Sequence, residues 1–130
     1  MLNGSVNALT TLHPLHAKVG ESVRIYFGVG GPNFTSSFHV IGEIFDAVCG
    51  SGRLQREPAR GTQTVAVPPG GATVVEFTPV VPGNYAIVDH ALARMERGLA
   101  GGRRAAQSRD LRRQAHAGNG ALSIGGRGNA

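Results

Sequence analysis

Few side chains in this 130-residue sequence can do chemistry. There are five histidines (His13, His16, His39, His90 and His116) and a single cysteine, Cys49. Histidine exchanges protons near neutral pH and is the commonest nitrogen ligand for metals. Taken singly, however, most histidines are surface or hydrogen-bonded structural residues, so context has to decide. His13 and His16 have a short, ligand-like spacing but flank Pro14, which predicts a loop and surface positions. His116 lies in a stretch of Arg, Ala and Gly and receives no role. His39 falls inside an expected strand and His90 just after another, so both depend on what holds those strands. Cys49 allows no intrachain disulfide and leaves the redox compartment unread.

The elements around these residues are those of an all-β domain. From residue 15 to 89, short alternating runs are separated by Gly, Pro and Asn clusters, the punctuation of a β-sandwich. In Ser22–Gly28, Val23, Ile25 and Phe27 alternate with Ser22, Arg24 and Tyr26. Residues 28–33 (Gly-Val-Gly-Gly-Pro-Asn) must be a loop, because they join residues that tolerate positive φ to one that locks φ. Further strands are expected at Ser37–Ile41, Ile44–Val48, Gln63–Val67, Thr73–Phe77 and Asn84–Val88, with a polar surface loop over 51–61. One short helix is expected near residues 91–97, between Asp89 and Gly98.

Composition divides the chain at about residue 101. All seven aromatics and all seven prolines lie before residue 86. Residues 1–100 carry seven basic and seven acidic side chains, whereas residues 101–130 carry six arginines against Asp110 alone. The whole +5 charge therefore belongs to the end of the chain and argues for no nucleic-acid or membrane partner. A segment so poor in apolar residues cannot offset its ordering entropy, which predicts a domain over 1–101 and a disordered Arg/Ala/Gly-rich tail over 102–130. No run approaches the ~18 apolar residues of a spanning helix, and no signal segment opens the sequence.

Six stretches occur in order: 2–10 (Leu-Asn-Gly-Ser-Val-Asn-Ala-Leu-Thr), 19–24 (Val-Gly-Glu-Ser-Val-Arg), 27–33, Phe38-His39-Val40-Ile41-Gly42 with Ser37 before it, 63–68 (Gln-Thr-Val-Ala-Val-Pro) and 82–91 (Pro-Gly-Asn-Tyr-Ala-Ile-Val-Asp-His-Ala). Together they resemble the second, C-terminal cupredoxin domain of copper-containing nitrite reductases over roughly residues 2–101. The resemblance implies a Greek-key cupredoxin-like sandwich. It also implies a homotrimeric, periplasmic parent that reduces nitrite to nitric oxide at a type 2 copper between subunits. Two histidines of the first cupredoxin domain of one subunit and one from the second domain of the next hold that copper. His90 matches the third ligand. His39 and Ile41 match the catalytic histidine and the aliphatic residue that crowds the nitrite pocket. Thr64 matches the hydroxyl residue that hydrogen-bonds the catalytic imidazole.

The chemistry suits these residue types. One electron and two protons convert nitrite to nitric oxide and water, which calls for a redox metal with an open position and a proton donor within hydrogen-bond reach. A fixed tautomer needs a further partner, the role the resemblance gives Thr64. Electron-transfer cupredoxins end in a Gly-x-aromatic-x-x-x-Cys strand whose thiolate binds type 1 copper. Here Gly83–Asp89 has that form with Asp89 in place of the cysteine, so no type 1 copper is expected on this chain. Cys49, without a His and a Met after it at cupredoxin spacing, reads as a half-buried structural thiol. Met95, five residues after His90, reads as helix packing rather than a ligand. Asp89 reads either as a helix N-cap or as a partner of the neighbouring site.

The family pattern calls for a closing Leu-x-Val strand after Gly101, where this sequence has Gly102-Arg103-Arg104-Ala105-Ala106. The expectation is therefore a chain truncated at its N-terminus and shifted in reading frame after about residue 101, inactive by itself. The alternative is a metal-free structural sandwich domain or a non-functional gene fragment.

Overall fold

The computed structural model describes residues 2–4, 8–94, 100–105 and 123–125. Among them the strands are β1 (Leu15–Ala17), β2 (Val23–Gly28), β3 (Ser36–Val40), β4 (Ala47–Cys49), β5 (Thr64–Val67), β6 (Ala72–Phe77), β7 (Gly83–Asp89), β8 (Ala100–Ala105) and β9 (Ser123–Gly125). One sheet has the order β1-β8-β7-β3-β5 and the other β4-β6-β2-β9. Every pairing is antiparallel except β1 with β8.

The core lies between the sheets. Val23, Ile25 and Phe27 of β2 are buried while Arg24, Tyr26 and Gly28 are half-exposed, the two-residue period the sequence carries. Phe38 and Val40 of β3 and Tyr85 and Ile87 of β7 meet them. Four aromatic rings run through this core: Phe27 stacks on Phe38 at 4.2 Å, Phe38 on Phe45 at 6.0 Å, and Phe45 tilts against Phe77 at 6.1 Å. Full burial of each such side chain contributes roughly 1.5–3 kcal/mol.

Several elements differ from expectation. In place of a strand over Ile44–Val48, Phe45 makes a lone bridge to Thr62 and regular pairing begins at Ala47. His16 belongs to β1 rather than to a loop, although it is exposed as expected, and so is His13. Residues 8–12 form a single π turn closed by the His13 N–H to the Ala8 carbonyl at 2.8 Å. The expected helix near 91–97 is a 3₁₀ turn at Leu92–Arg94. Arg94 is drawn back toward Asp89 there, and residues 95–97 lie outside the described residues. The expected boundary at 101 falls inside β8, which pairs with β7 from Gly83↔Ala105 to Val88↔Ala100, while β9 pairs with β2. Strand ladders are made by backbone groups, so the Gly- and Arg-rich β8 pairs with both β1 and β7 without any side-chain alternation. The remainder of 102–130 lies outside the described residues. Among the described residues no helix is long and apolar enough to cross a membrane.

Candidate functional site

The register of β3 between β5 and β7 brings the chemistry-bearing residues together. His39 lies opposite Val88 of β7 and opposite Thr64 of β5. Successive side chains alternate between faces, so Phe38 and Val40 turn to the core while His39 takes the other face of the five-stranded sheet. By the same parity Val88 and His90 share the His39 face, and Tyr85 and Ile87 share the core. The imidazoles of His39 and His90 stand 5.3 Å apart, centroid to centroid, tilted by 56°. His39 is buried and His90 is exposed.

The His39 ring is held by a backbone group. Its Nδ1 lies 2.6 Å from the carbonyl oxygen of Gln63. A carbonyl only accepts, so Nδ1 carries a hydrogen and donates it, which leaves Nε2 as the nitrogen free for exchange. Thr64 had been expected to make this bond. Its side chain is exposed on β5 as the cross-strand neighbour of His39, one residue beyond the carbonyl that does so. A β-strand presents its carbonyls edgewise to the next strand whatever its side chains are. The bond to Nδ1 thus comes from a main-chain atom that no residue type announces.

His90 is held from three directions. Its N–H donates to the Ser37 carbonyl at 2.8 Å. On one side of it, Asp89 is buried, and its Oδ1 accepts the Ser37 N–H at 3.1 Å and the Ala91 N–H at 3.2 Å. On the other, Arg94 Nη1 reaches Asp89 Oδ2 at 2.8 Å and the Thr35 carbonyl at 2.7 Å. The guanidinium also lies over the Phe34 ring, 5.1 Å from its centroid. Asp89 thus caps the chain after β7 and fastens it to β3, which joins the two roles left open for it. Arg94 carried no signal in the sequence, since a contact five residues back across a turn belongs to no periodic pattern.

Ile41 follows β3 at the same parity as His39 and is 44% exposed. Its N–H donates to the Ala86 carbonyl at 2.8 Å, and Gly42 turns the chain away at φ +91°. A Cβ at Gly42 would sit 3.6 Å from the Tyr85 ring in a conformation L side chains rarely adopt. Tyr85 closes this corner from below by donating its O–H to the Val81 carbonyl at 2.6 Å. Burial, then the nearby Glu43 carboxylate, push its phenol above the ordinary value.

Among the described residues, no three His, Cys, Asp or Glu side chains are grouped to hold a metal ion. The donor set fits a metal only in part: one exposed imidazole, His90, with a second close by whose Nδ1 is already engaged. Among the described residues these two imidazoles are therefore an incomplete donor set. Two surface concavities, of about 500 and 490 Å³, lie along the 52–56 loop and on the other sheet around Arg24, Asp46 and Glu76; neither includes His39 or His90. Cys49 is free and half-buried at the end of β4, as expected.

Known proteins share this pattern. A family model for multicopper oxidases matches residues 3–108, past the compositional boundary at 101. The copper-containing nitrite reductase of Neisseria meningitidis serogroup A is 50% identical over 95 residues, covering 72% of this chain and 24% of that protein. The solved copper nitrite reductase of Nitrosomonas europaea superposes with a TM-score of 0.76 at 33% identity, over 83% of this chain and 40% of the other. That of Thermus scotoductus gives 0.74 at 33% identity, over 81% and 24%. The chain spans about a quarter of the length of the Neisseria meningitidis relatives it matches.

Proposed function

The chain belongs to the multicopper oxidase family, and on that premise we propose that it contributes half of a nitrite-reducing copper site. The reaction is nitrite plus one electron and two protons to nitric oxide and water. The other half of the site comes from a first cupredoxin domain, in a periplasmic homotrimer. The observation that carries this reading is the placing of two imidazoles 5.3 Å apart on one sheet face, one buried and oriented, the other exposed.

Copper, when bound, would supply the electron and a coordination position for the anion. His90 offers an imidazole nitrogen at the surface, where ligands from a neighbouring subunit can join it. His39 handles the proton. The Gln63 carbonyl accepts the Nδ1 hydrogen, so Nε2 is the ring nitrogen left to face a substrate. Ile41, exposed on the same face, limits how a small anion can lie beside the two rings. Thr64 stands next to His39 across the strand pair and restricts the space in which the ring can turn.

A chimera tests this directly. The 95 matched residues of this chain replace the corresponding segment of the meningococcal enzyme. The chimera is expected to bind copper and reduce nitrite. His90→Ala should lower copper occupancy and turnover together. His39→Ala should keep the copper and lose turnover by ~10²–10⁴-fold, the usual contribution of a positioned general acid. Full copper in His90→Ala, or copper lost in His39→Ala, would reverse the two assignments. A chimera that folds and trimerises without copper would favour a metal-free structural domain.

A further inference from the structure

We propose that Arg94 is a positioning residue: through the buried carboxylate of Asp89 it fixes His90 against His39. The inference rests on the metal role given to His90 above and adds the device that aims it.

His90 is exposed and follows the last residue of β7, so the strand ladder alone does not hold it. Its ring must nevertheless keep a set distance from His39, which sits mid-ladder on β3. The link between them runs through residues 34–37, the entry to β3. The Asp89 carboxylate bonds the N–H groups of Ser37 and Ala91, spanning His90 on both sides. With only 5% of its side chain exposed, this carboxylate requires a charged partner. Arg94 supplies it and with the same nitrogen bonds the Thr35 carbonyl. That one nitrogen bridges two oxygens while the planar guanidinium lies over the Phe34 ring, and it is this stacked placement that a lysine ammonium does not reproduce. Residues 89–94 are thus fastened to 34–37 by one arginine and one aspartate. Any loosening of that clamp moves His90 relative to His39 and leaves β3 in place.

The test uses NMR on the isotope-labelled 130-residue chain. In Arg94→Gln, amide exchange at Ser37 and Ala91 should quicken by at least about tenfold and the His39–His90 ring cross-peaks should weaken. Exchange at Ile25 and Val75, in the opposite sheet, should stay within about twofold. Arg94→Lys should fall between Arg94→Gln and the wild type, since it keeps the charge and loses the planar group over Phe34. If Arg94→Gln does not fold, Arg94→Lys is read by the same criteria. Unchanged ring contacts and exchange would overturn the proposal, and so would an equal rise at Ile25 and Val75, which marks general destabilisation. Titrating Cu(II) into the wild-type chain tests the underlying reading separately. Selective broadening of His90 ahead of His13, His16 and His116 supports its ligand role. Its absence would remove that role while the exchange data still decide the clamp.

Discussion

Tyr85→Phe removes a single oxygen from the corner beneath Ile41. The phenol is buried, at 6% exposure, and its O–H donates to the Val81 carbonyl at 2.6 Å. Such a bond contributes about 0.5–1.5 kcal/mol net. The lower half of that range applies, because Val81 is 58% exposed and water can replace the lost donor at its carbonyl. With a urea slope of about 1–3 kcal/mol per molar, the unfolding midpoint should fall by roughly 0.2–1 M at neutral pH. The pH dependence is more discriminating. Burial first, and Glu43 second, raise the phenol pKa in the folded chain above its ordinary ~10. The folded state therefore holds this proton more tightly than the unfolded one. The contribution is complete below about pH 10 and is lost as pH rises through the folded value. Tyr85→Phe has no such proton, so its stability should decline less than that of the wild type between about pH 7 and pH 11. The chain has no tryptophan, so circular dichroism would follow the melts. Equal losses in both proteins, or an unchanged midpoint at neutral pH, would refute the reasoning.

The same melts should show Phe38→Ala losing ~3–5 kcal/mol, since the ring is 1% exposed and touches both Phe27 and Phe45; such a loss is a large part of a typical domain's ~5–15 kcal/mol. A loss below ~1 kcal/mol would mean that the four-ring core is not packed as described. In the chimeric enzyme, Thr64→Val should lower nitrite turnover by less than about tenfold with copper retained, because the Gln63 carbonyl still holds His39. A loss as large as that of His39→Ala would return the orienting bond to the threonine hydroxyl.

The parts of the fold legible in the sequence are those where side chains choose a face. Val23, Ile25 and Phe27 announce β2 by alternation, and Tyr85 and Ile87 do the same for β7. β8 and β9 were not legible. Ala100–Ala105 contains two glycines and two arginines in a row, and its pairing with β7 is made by backbone groups that every residue carries. The turn at Leu92–Arg94 was misread for a related reason. Good helix formers stand there, but the Arg94 side chain is committed to Asp89 and Thr35, and a tertiary contact outweighs a few tenths of a kcal/mol of propensity. Around the candidate site, His39, Ile41, Thr64 and His90 stood out in the sequence only as residue types in a motif. The Gln63 carbonyl and the Arg94 clamp did not, one because backbone atoms are silent in sequence and the other because its spacing follows no period.

The histidine pair depends on the core more than on any bond the histidines make. β3 and β7 are neighbours although some fifty residues separate them in sequence, so their relative register has to be set by packing. Phe38 and Val40 are 1% and 0% exposed, and Ile87 is 0% exposed. A slip of β3 by one residue would turn Phe38 and Val40 out of the core and drive His39 into it, away from the partner of its Nδ1. Unpacking Phe38 and Val40 from the core would forfeit several kcal/mol, and burying an unpaired imidazole would add more. That sum is comparable to the whole stability of a domain this size. The apolar residues on one face of β3 thus fix where His39 stands on the other. His90 lies just past the last residue of β7, tied to β3 by its N–H to the Ser37 carbonyl, and there the chain adds a charged pair.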